Sequence, residues 1–299
     1  MTPLTMKHLR YFDALARHRH FGRAAEASAI SQPALSLQVR ELENILGAPL
    51  VERGARQIRL TALGEEFSLR AREVLRAVDE LGALARASTG PLSGRLRLGV
   101  IPTVAPYLLP QVMRELALSF PDLDLRPREA ITPKLMRDLG EGRLDLALVA
   151  LPVSEPSVVE MPLFEEEFLL VRHQGAAHLP IPALVDLPEA PLLLLEEGHC
   201  FRDQAIAFCK MPQSPAGEIM EGSSLSTLVQ MVGAGIGVTL IPEMAAAVET
   251  RSAPVVLHRL PDPSPRRTIG MVWRRSNPLS ESYRDLAEAL QRGLARSED

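Results

Sequence analysis

Two short helices near the N-terminus, joined by three residues, constrain the fold of this chain more than any other feature. The first covers the Ala-rich residues 21–27, and the connection covers residues 28–30. The second begins after Ser31, whose hydroxyl can accept a hydrogen bond from a free backbone N–H of the first turn. Pro33 lies in that turn, where its missing N–H costs nothing. This arrangement predicts a helix-turn-helix, preceded by an amphipathic helix over residues 5–19.

The second of these helices has an apolar face and a polar face. Leu35, Val39 and Leu42 recur at helical spacing, and we expect them to point into a core. The opposite face carries groups that can bind base edges or phosphates, and a basic segment farther along predicts a wing against the phosphate backbone. The residues predicted to bind DNA are Ser31, Gln32, Pro33, Ser36, Arg40, Arg53 and Arg56.

The charge of the chain is divided unevenly along its length. Residues 1–60 carry nine Lys or Arg and five Asp or Glu, for a net charge of +4, whereas the whole chain has −4. A basic head on an acidic body favours binding of nucleic acid by the head. A solvated face of mixed charge explains the same counts, so the prediction of DNA binding depends on the capped helix and the wing.

The pattern beyond the head predicts a long helix and then a two-lobed α/β body. Apolar residues recur along an uninterrupted helix over residues 65–87, which is typical of a dimerisation helix, and a linker rich in Gly, Pro and Ser ends it. Alternating strands and helices follow, and they predict a parallel sheet covered by helices. A cleft between the two lobes is a natural ligand site. The predicted divisions are a winged helix-turn-helix DNA-binding domain (1–62), a linker helix (63–89) and a periplasmic-binding-protein-like regulatory domain (90–299), with subdomain I at 90–164 and 268–299 and subdomain II at 165–267.

Both cysteines of the chain, Cys200 and Cys209, lie in one short predicted helix. Nine residues of helix place their Cα atoms roughly 13 Å apart. Because a disulfide needs about 7 Å or less, the two are either unrelated or can be joined only if the helix unwinds. Cys200 lies near the helix N-terminus beside His199 and Arg202, surroundings that favour a thiolate. A reactive and a resolving cysteine are what a reversible redox sensor requires, although two ordinary buried cysteines fit the spacing equally well.

Thr103 and Thr132 follow two predicted strands, at the edge where open α/β sheets bind ligands. Both can also cap the helices that come next, and on sequence alone capping is the favoured interpretation. The seven histidines show no metal-ligand spacing, and the chain has neither a phosphate-binding loop nor a Gly-x-Ser-x-Gly motif. Two cysteines in 299 residues exclude a disulfide scaffold and indicate a reducing cytoplasm, and no apolar run is long enough to span a membrane.

At this point the whole chain resembles the LysR-type transcriptional regulators. The resemblance rests first on the head, with the run SQPALS at 31–36 and the run LTALG at 60–64. Four further stretches are similar to the peroxide-sensing members of that family. They are IPTVAPYLLP at 101–110, GHCFRDQAIAFC at 198–209, MVGAG at 231–235 and PRRTIG at 265–270.

This resemblance implies roles for individual residues. Cys200 would be the peroxidatic cysteine and Cys209 the resolving one, with hydrogen peroxide as the signal and no cofactor. The residues implied to surround the peroxide or to control the rearrangement are Thr103, Thr132, His199, Arg202, Asp203 and Arg267. The implied partners are promoter DNA, RNA polymerase, a thiol reductant such as a glutaredoxin or thioredoxin, and further copies of the chain in a dimer of dimers. The implied function is the control of antioxidant genes.

Two other functions stay open at this stage. A LysR-type regulator with a small organic inducer in the cleft would carry the cysteines incidentally. A thiol peroxidase would use Cys200 in turnover, but it is disfavoured because about 90 residues are given to a DNA-binding head and a dimerisation helix.

Overall fold

The computed structural model describes residues 4–52, 58–87, 92–181, 191–209 and 220–295. The chain forms two compact units, Met1–Ala85 and Arg86–Asp299. The predicted arginines of the wing, Arg53 and Arg56, lie outside the described residues.

The first unit is helical and contains the predicted helix-turn-helix. Its core is built from Phe12, Leu15, Leu35 and Leu42, which are all fully buried. Leu35 and Leu42 were predicted to point inward from their helical spacing, and Val39, the third predicted position, is also buried, so the predicted inward face of the second helix is confirmed. The helices are α1 (Met6–His18), α2 (Phe21–Ala27), α3 (Gln32–Leu46) and α4 (Ala62–Ala87).

Helix α3 begins and ends as its sequence predicts. Ser31 is the N-cap, and its hydroxyl accepts a hydrogen bond from the backbone N–H of Ala34 at 3.4 Å. Gly47 ends the helix with a φ of +69°, a conformation that glycine adopts without strain. The buried carboxylate of Glu43 then accepts hydrogen bonds from the backbone N–H groups of Leu50 and Val51 at 2.8 and 3.1 Å. Glu43 therefore holds the start of the segment that leads to the wing.

Helix α4 is attached to the head near its N-terminal end and exposes apolar side chains farther along. The rings of Phe67 and Phe12 meet edge to face at 5.5 Å. The guanidinium of Arg72 donates to the buried carboxylate of Asp13 at 2.9 Å. The exposed apolar residues of α4 are Leu63, Leu69, Val74, Val78, Leu81 and Leu84.

The second unit contains a seven-stranded sheet and a two-stranded sheet with helices packed on them. The order in the larger sheet is β2-β1-β3-β9-β4-β7, and β8 also pairs with β4. The strands are β1 (Gly94–Val100), β2 (Leu123–Glu129), β3 (Leu146–Leu151), β4 (Val158–His173), β5 (Leu194–Leu195), β6 (Glu221–Gly222), β7 (Thr239–Pro242), β8 (Val255–Arg259) and β9 (Arg266–Arg274). The helices are α5 (Ala105–Ser119), α6 (Thr132–Gly140), α7 (Cys200–Phe208), α8 (Leu225–Gly233), α9 (Ala246–Glu249) and α10 (Ser280–Ala295).

The prediction of a parallel sheet is wrong for most of the larger sheet. Strand β1 pairs in parallel with β2 and β3, but β9 runs antiparallel to both β3 and β4. The βαβ pattern describes only the first three strands. Strand β9 comes back from the far part of the unit, so it enters the sheet in the opposite direction.

Strand β4 joins the two parts of this unit. From Val158 to Glu167 it pairs with β9, and from Phe168 onward it pairs with β7 and β8. Its first half has no clear alternation of buried residues, whereas its second half is almost continuously buried. Phe168 is fully buried at the change of partner and belongs to the core beneath α7.

Candidate functional site

Helix α7 confirms the predicted short helix and carries a cysteine at each end. Cys200 is its first residue, and Cys209 is the residue that caps its C-terminus. Both thiols are free. Nine residues of helix separate them by roughly 13 Å, which is about twice the distance that a disulfide spans. The helix and a bond between these two cysteines are therefore mutually exclusive.

The C-terminal end of α7 is packed into the core. The rings of Phe201 and Phe208 contact the ring of Phe168, with centroids 4.7 and 5.1 Å apart. Cys209 is only 1% exposed, and burial raises the pKa of its thiol to about 11. A thiolate is the reactive form of cysteine, so Cys209 is unreactive for as long as the helix stays packed.

Cys200 lies against a narrow crevice that is closed to molecules of the size of water. No water-sized sphere fits between its walls. The crevice has apolar and polar walls, and besides Cys200 the residues that line it are Ile101, Pro102, Thr103, Ile131, Thr132 and His199. Three of the predicted site residues are thus brought together around the thiol.

Thr132 presents a hydroxyl that has no hydrogen-bond partner among the described residues. It is the first residue of α6, whose N-cap is Ile131, so the capping role favoured on sequence alone is wrong. Its Oγ1 atom is buried and unpaired. Burying such a group costs about 1–3 kcal/mol, which favours a role for the hydroxyl in binding a ligand.

Thr103 is held in place by an arginine that comes from a distant part of the sequence. The cap of α5 is Val104, so the capping interpretation is wrong here as well. Arg267 donates from Nη1 to Thr103 Oγ1 at 2.8 Å and from Nη2 to the Thr103 carbonyl at 3.0 Å. Because this hydroxyl accepts from a guanidinium, its own proton stays available for a second partner.

Arg267 is 2% exposed and is paired on its other side with Glu166. The Nε atom donates to Glu166 Oε1 at 2.8 Å, and the guanidinium carbon lies 5.4 Å from the centre of the Phe201 ring. One buried cation thus contacts Thr103, Glu166 and the first turn of α7. Glu166 and Phe201 were not predicted as partners of Arg267. Glu166 lies opposite Arg267 in the pairing of β4 with β9, and this register is not visible in the sequence of either strand alone.

The positive charge that we expected beside Cys200 is already neutralised. Burial lowers the pKa of His199, while Glu196 and Glu129 act in the opposite direction, so the imidazole is neutral at neutral pH. Arg202 is buried and donates to the Leu195 carbonyl at 2.9 Å and to Glu221 at 2.6 Å. Neither side chain therefore presents a free positive charge to Cys200.

A larger cleft of about 540 Å³ adjoins the crevice. Thr132 and Cys200 line both spaces, whereas Gly198, Met136 and the exposed Asp203 line the cleft alone. Of the predicted peroxide-pocket residues, Arg202 and Arg267 line neither space. Arg267 contacts the crevice through Thr103, whereas Arg202 binds Leu195 and Glu221, which line neither space.

The residues predicted to bind DNA from α3 and its N-cap lie on the surface. Ser31, Gln32, Pro33 and Arg40 are exposed, and Ser36 is half-buried. Arg40 donates to the Ser36 hydroxyl at 3.2 Å, which orients the guanidinium along the helix.

Within the described part of the chain, no group of three or more His, Cys, Asp or Glu side chains could hold a metal ion. No helix among the described residues is long and apolar enough to cross a membrane.

Comparison with known proteins decides the family. Residues 6–65 match the helix-turn-helix family described as bacterial regulatory helix-turn-helix protein, lysR family, and residues 89–295 match the LysR substrate binding domain. The chain belongs to the LysR family. The two matches and the similar solved structures confirm the predicted winged helix-turn-helix and α/β fold. Members of this family are transcriptional regulators, which confirms the prediction that the chain is not an enzyme.

Two relatives of this LysR-family chain are named as regulators of gene expression. A probable hydrogen peroxide-inducible genes activator from Streptomyces viridosporus is 45% identical over 97% of this chain and 94% of its own length. The DNA-binding transcriptional dual regulator OxyR of Escherichia coli K12 is 42% identical over 96% of this chain and 95% of its own length.

Solved structures of OxyR proteins are similar to this chain along almost its entire length. A full-length OxyR from Pseudomonas aeruginosa, with one cysteine replaced by aspartate, has a TM-score of 0.77 at 34% identity and covers 97% of this chain and 96% of its own. A Corynebacterium glutamicum OxyR with a cysteine replaced by serine and hydrogen peroxide bound has a TM-score of 0.66 at 35% identity, with coverage of 98% and 93%.

Proposed function

We propose that this regulator senses hydrogen peroxide through oxidation of Cys200 and responds by forming a disulfide with Cys209. The observation that carries the proposal is the closed crevice in which Cys200 lies beside an unpaired, buried Thr132 hydroxyl. The names of similar proteins support it, because one relative is described as a hydrogen peroxide-inducible genes activator and one OxyR structure has hydrogen peroxide bound.

The first chemical step joins sulfur to one oxygen of the peroxide. The Cys200 thiolate attacks that oxygen, the O–O bond breaks, and hydroxide leaves and takes up a proton to become water. The hydroxyls of Thr103 and Thr132 form hydrogen bonds with the two peroxide oxygens. The hydroxyl proton of Thr103, which Arg267 does not use, stabilises the charge that develops on the departing oxygen. The product is a sulfenic acid at Cys200.

The second step consumes the sulfenic acid and unwinds α7. The Cys209 sulfur attacks the Cys200 sulfur, the S–O bond breaks, and a second molecule of water is released. Cys209 must first leave the core that holds its pKa at about 11, so helix unwinding and thiol activation occur together. Closing a loop of about ten residues constrains the chain by roughly 3 kcal/mol, and a few kcal/mol can invert a two-state population.

Arg267 stabilises the reduced form in this proposal. It connects Thr103, Glu166 and the Phe201 ring, so it contacts the crevice, β4 and α7 together. Unwinding of α7 removes Phe201 from this contact. Asp203 and Arg202 lie on the same helix, so they move with it during the rearrangement.

The redox change acts on transcription through the remainder of the chain. We assign residues 1–62 to DNA binding, 63–89 to a linker helix whose exposed apolar side chains pair with a second copy, and 90–299 to regulation. Two such dimers assemble on promoter DNA, and a changed spacing of their heads alters contact with RNA polymerase and activates antioxidant genes. A thiol reductant such as a glutaredoxin or thioredoxin restores the dithiol, and the regulator works in the cytoplasm, where its DNA is.

Thiol titration before and after one equivalent of peroxide tests the proposal. We expect the full chain to lose two free thiols and the Cys209→Ser chain to lose one, as sulfenic acid. The Cys200→Ser chain should lose none under the same conditions. Unchanged thiols in the unaltered chain would refute peroxide sensing.

The 540 Å³ cleft favours a second candidate function, in which a small organic inducer binds there and the cysteines have no role. A Cys200→Ser chain that still switches its operator footprint in cells exposed to peroxide would support that function and contradict the first.

A further inference from the structure

The closed crevice raises the question of how a peroxide reaches Cys200. Its walls admit no water-sized sphere, so at least one of them must move before any peroxide can bind. Thr103 is fixed by Arg267, Pro102 has a rigid ring, and Ile101 is only 1% exposed. Ile131 is half-buried, and a rotation of its side chain would move one wall of the crevice.

The position of Ile131 places it between the crevice and the cleft. Ile131 lines the crevice, and Gly198 lines the cleft. A Cβ atom added at Gly198 would lie 2.8 Å from Ile131 Cδ1, so the end of the isoleucine side chain rests against the glycine backbone. The contact between Ile131 and Gly198 is therefore the boundary between the two spaces, and we call this contact the seam. Cys200 and Thr132, which line both spaces, lie beside it.

The backbone on each side of the seam explains why these two residue types occur there. Gly198 has a φ of +92°, which an L side chain rarely adopts, and it has room for no Cβ while Ile131 keeps its position. Ile131 is the N-cap of α6 in an extended conformation, so its side chain is outside the helix and is not held by an intrahelical turn. At the seam, the branched side chain of Ile131 thus packs against the backbone of Gly198, which has no side chain.

We propose that Ile131 is the gate of the crevice, and that it selects hydrogen peroxide over larger hydroperoxides. This inference rests on the proposed function of Cys200. Rotation of the Ile131 side chain away from Gly198 opens a path from the cleft to the thiol, and the path is narrow because only the end of one side chain moves. For an organic hydroperoxide, the same attack by the Cys200 sulfur on a peroxide oxygen would release an alcohol instead of water, so selection acts on access and leaves the chemistry unchanged.

The test compares reaction with hydrogen peroxide and with tert-butyl hydroperoxide in the full chain. Second-order rate constants are obtained for loss of the Cys200 thiol, by timed trapping and mass spectrometry. Ile131→Val removes the Cδ1 methyl that touches Gly198. It should raise the ratio of the tert-butyl hydroperoxide rate to the hydrogen peroxide rate by roughly tenfold, the scale on which one methyl group discriminates in an apolar site.

Ile101→Val is the matched control, because it removes the same methyl group from the buried side of the crevice and leaves the seam intact. Its rate ratio should equal that of the unaltered chain. An equal rise of the rate ratio in both variants would show that the volume of the crevice selects the peroxide. No rise of the ratio in Ile131→Val would show that peroxide enters by another path. Either result would contradict the proposal that Ile131 is the gate. If the unaltered chain loses no thiol to hydrogen peroxide at all, the proposed function itself fails.

Discussion

Replacing Thr132 with valine should stabilise the reduced protein while it slows oxidation. The Thr132 hydroxyl is buried without a partner, whereas valine has the same shape and no polar group to desolvate. Removing such an unpaired group recovers about 1 kcal/mol of stability, at the low end of the usual cost. For a unit of about 200 residues, this corresponds to a rise in Tm of about 2–4 °C.

Thr103→Val provides the opposite case within the same crevice. The Thr103 hydroxyl accepts a hydrogen bond from the buried Arg267, so its loss leaves a charged donor without that partner. Hydrogen bonds to charged groups contribute about 1.5–3 kcal/mol, and we therefore expect the Tm to fall by at least about 3 °C. The two substitutions are identical in chemistry and differ only in whether the hydroxyl is paired.

The fluorescence of Trp273 follows unfolding of the second unit selectively, because it is the one tryptophan of the chain and is fully buried in β9. Thermal unfolding is measured in the presence of a reductant, and the rate of thiol loss to peroxide is measured separately. Both variants should react more slowly than the unaltered chain, because each loses a hydroxyl that we propose binds peroxide. If Thr132→Val lowers the Tm as much as Thr103→Val does, the Thr132 hydroxyl has a partner and the reasoning is refuted.

Three further predictions concern the reduced core, the resolving thiol and the DNA-binding face. Arg267→Gln breaks the buried pair with Glu166, and such a loss typically destabilises the folded protein by about 3–5 kcal/mol. Because the pair belongs to the reduced form, the disulfide should form at a more reducing potential in a thiol redox buffer. An unchanged potential would contradict the role given to Arg267. Burial raises the pKa of Cys209 from its ordinary value of 9.0 to about 11, so its contribution to stability is present below pH 9 and is lost as the pH rises towards 11. The urea midpoint of the reduced chain should fall across that window, and Cys209→Ala should reduce the fall; equal slopes would show that Cys209 is not the group responsible. Arg40→Ala should weaken operator binding by about 1–3 kcal/mol in a gel-shift titration with little change on unrelated DNA, and a uniform loss on both DNAs would assign Arg40 to phosphate contact alone.

Features that depend on neighbouring residues were predictable from the sequence. The capped helix α3 and the separation of Cys200 from Cys209 along α7 follow from spacing, cap residues and the geometry of a helix. The clustering of Thr103 and Thr132 at one edge followed from the rule that ligands bind at the carboxyl ends of strands. Their exact roles did not follow, because capping and ligand contact require the same residue type.

The sequence by itself determined that this is a DNA-binding regulator with two cysteines that a helix keeps apart. Only the tertiary structure decided which polar groups face Cys200. His199 is neutral and Arg202 is neutralised by Glu221, although their positions in the sequence suggest free charge. The physical reason is that burial and ion pairing depend on contacts between residues that are distant in sequence, such as Arg202 with Glu221, 19 positions apart, and Arg267 with Glu166, 101 positions apart. No local pattern carries that information, so the closed crevice around Cys200 became visible only in the folded chain.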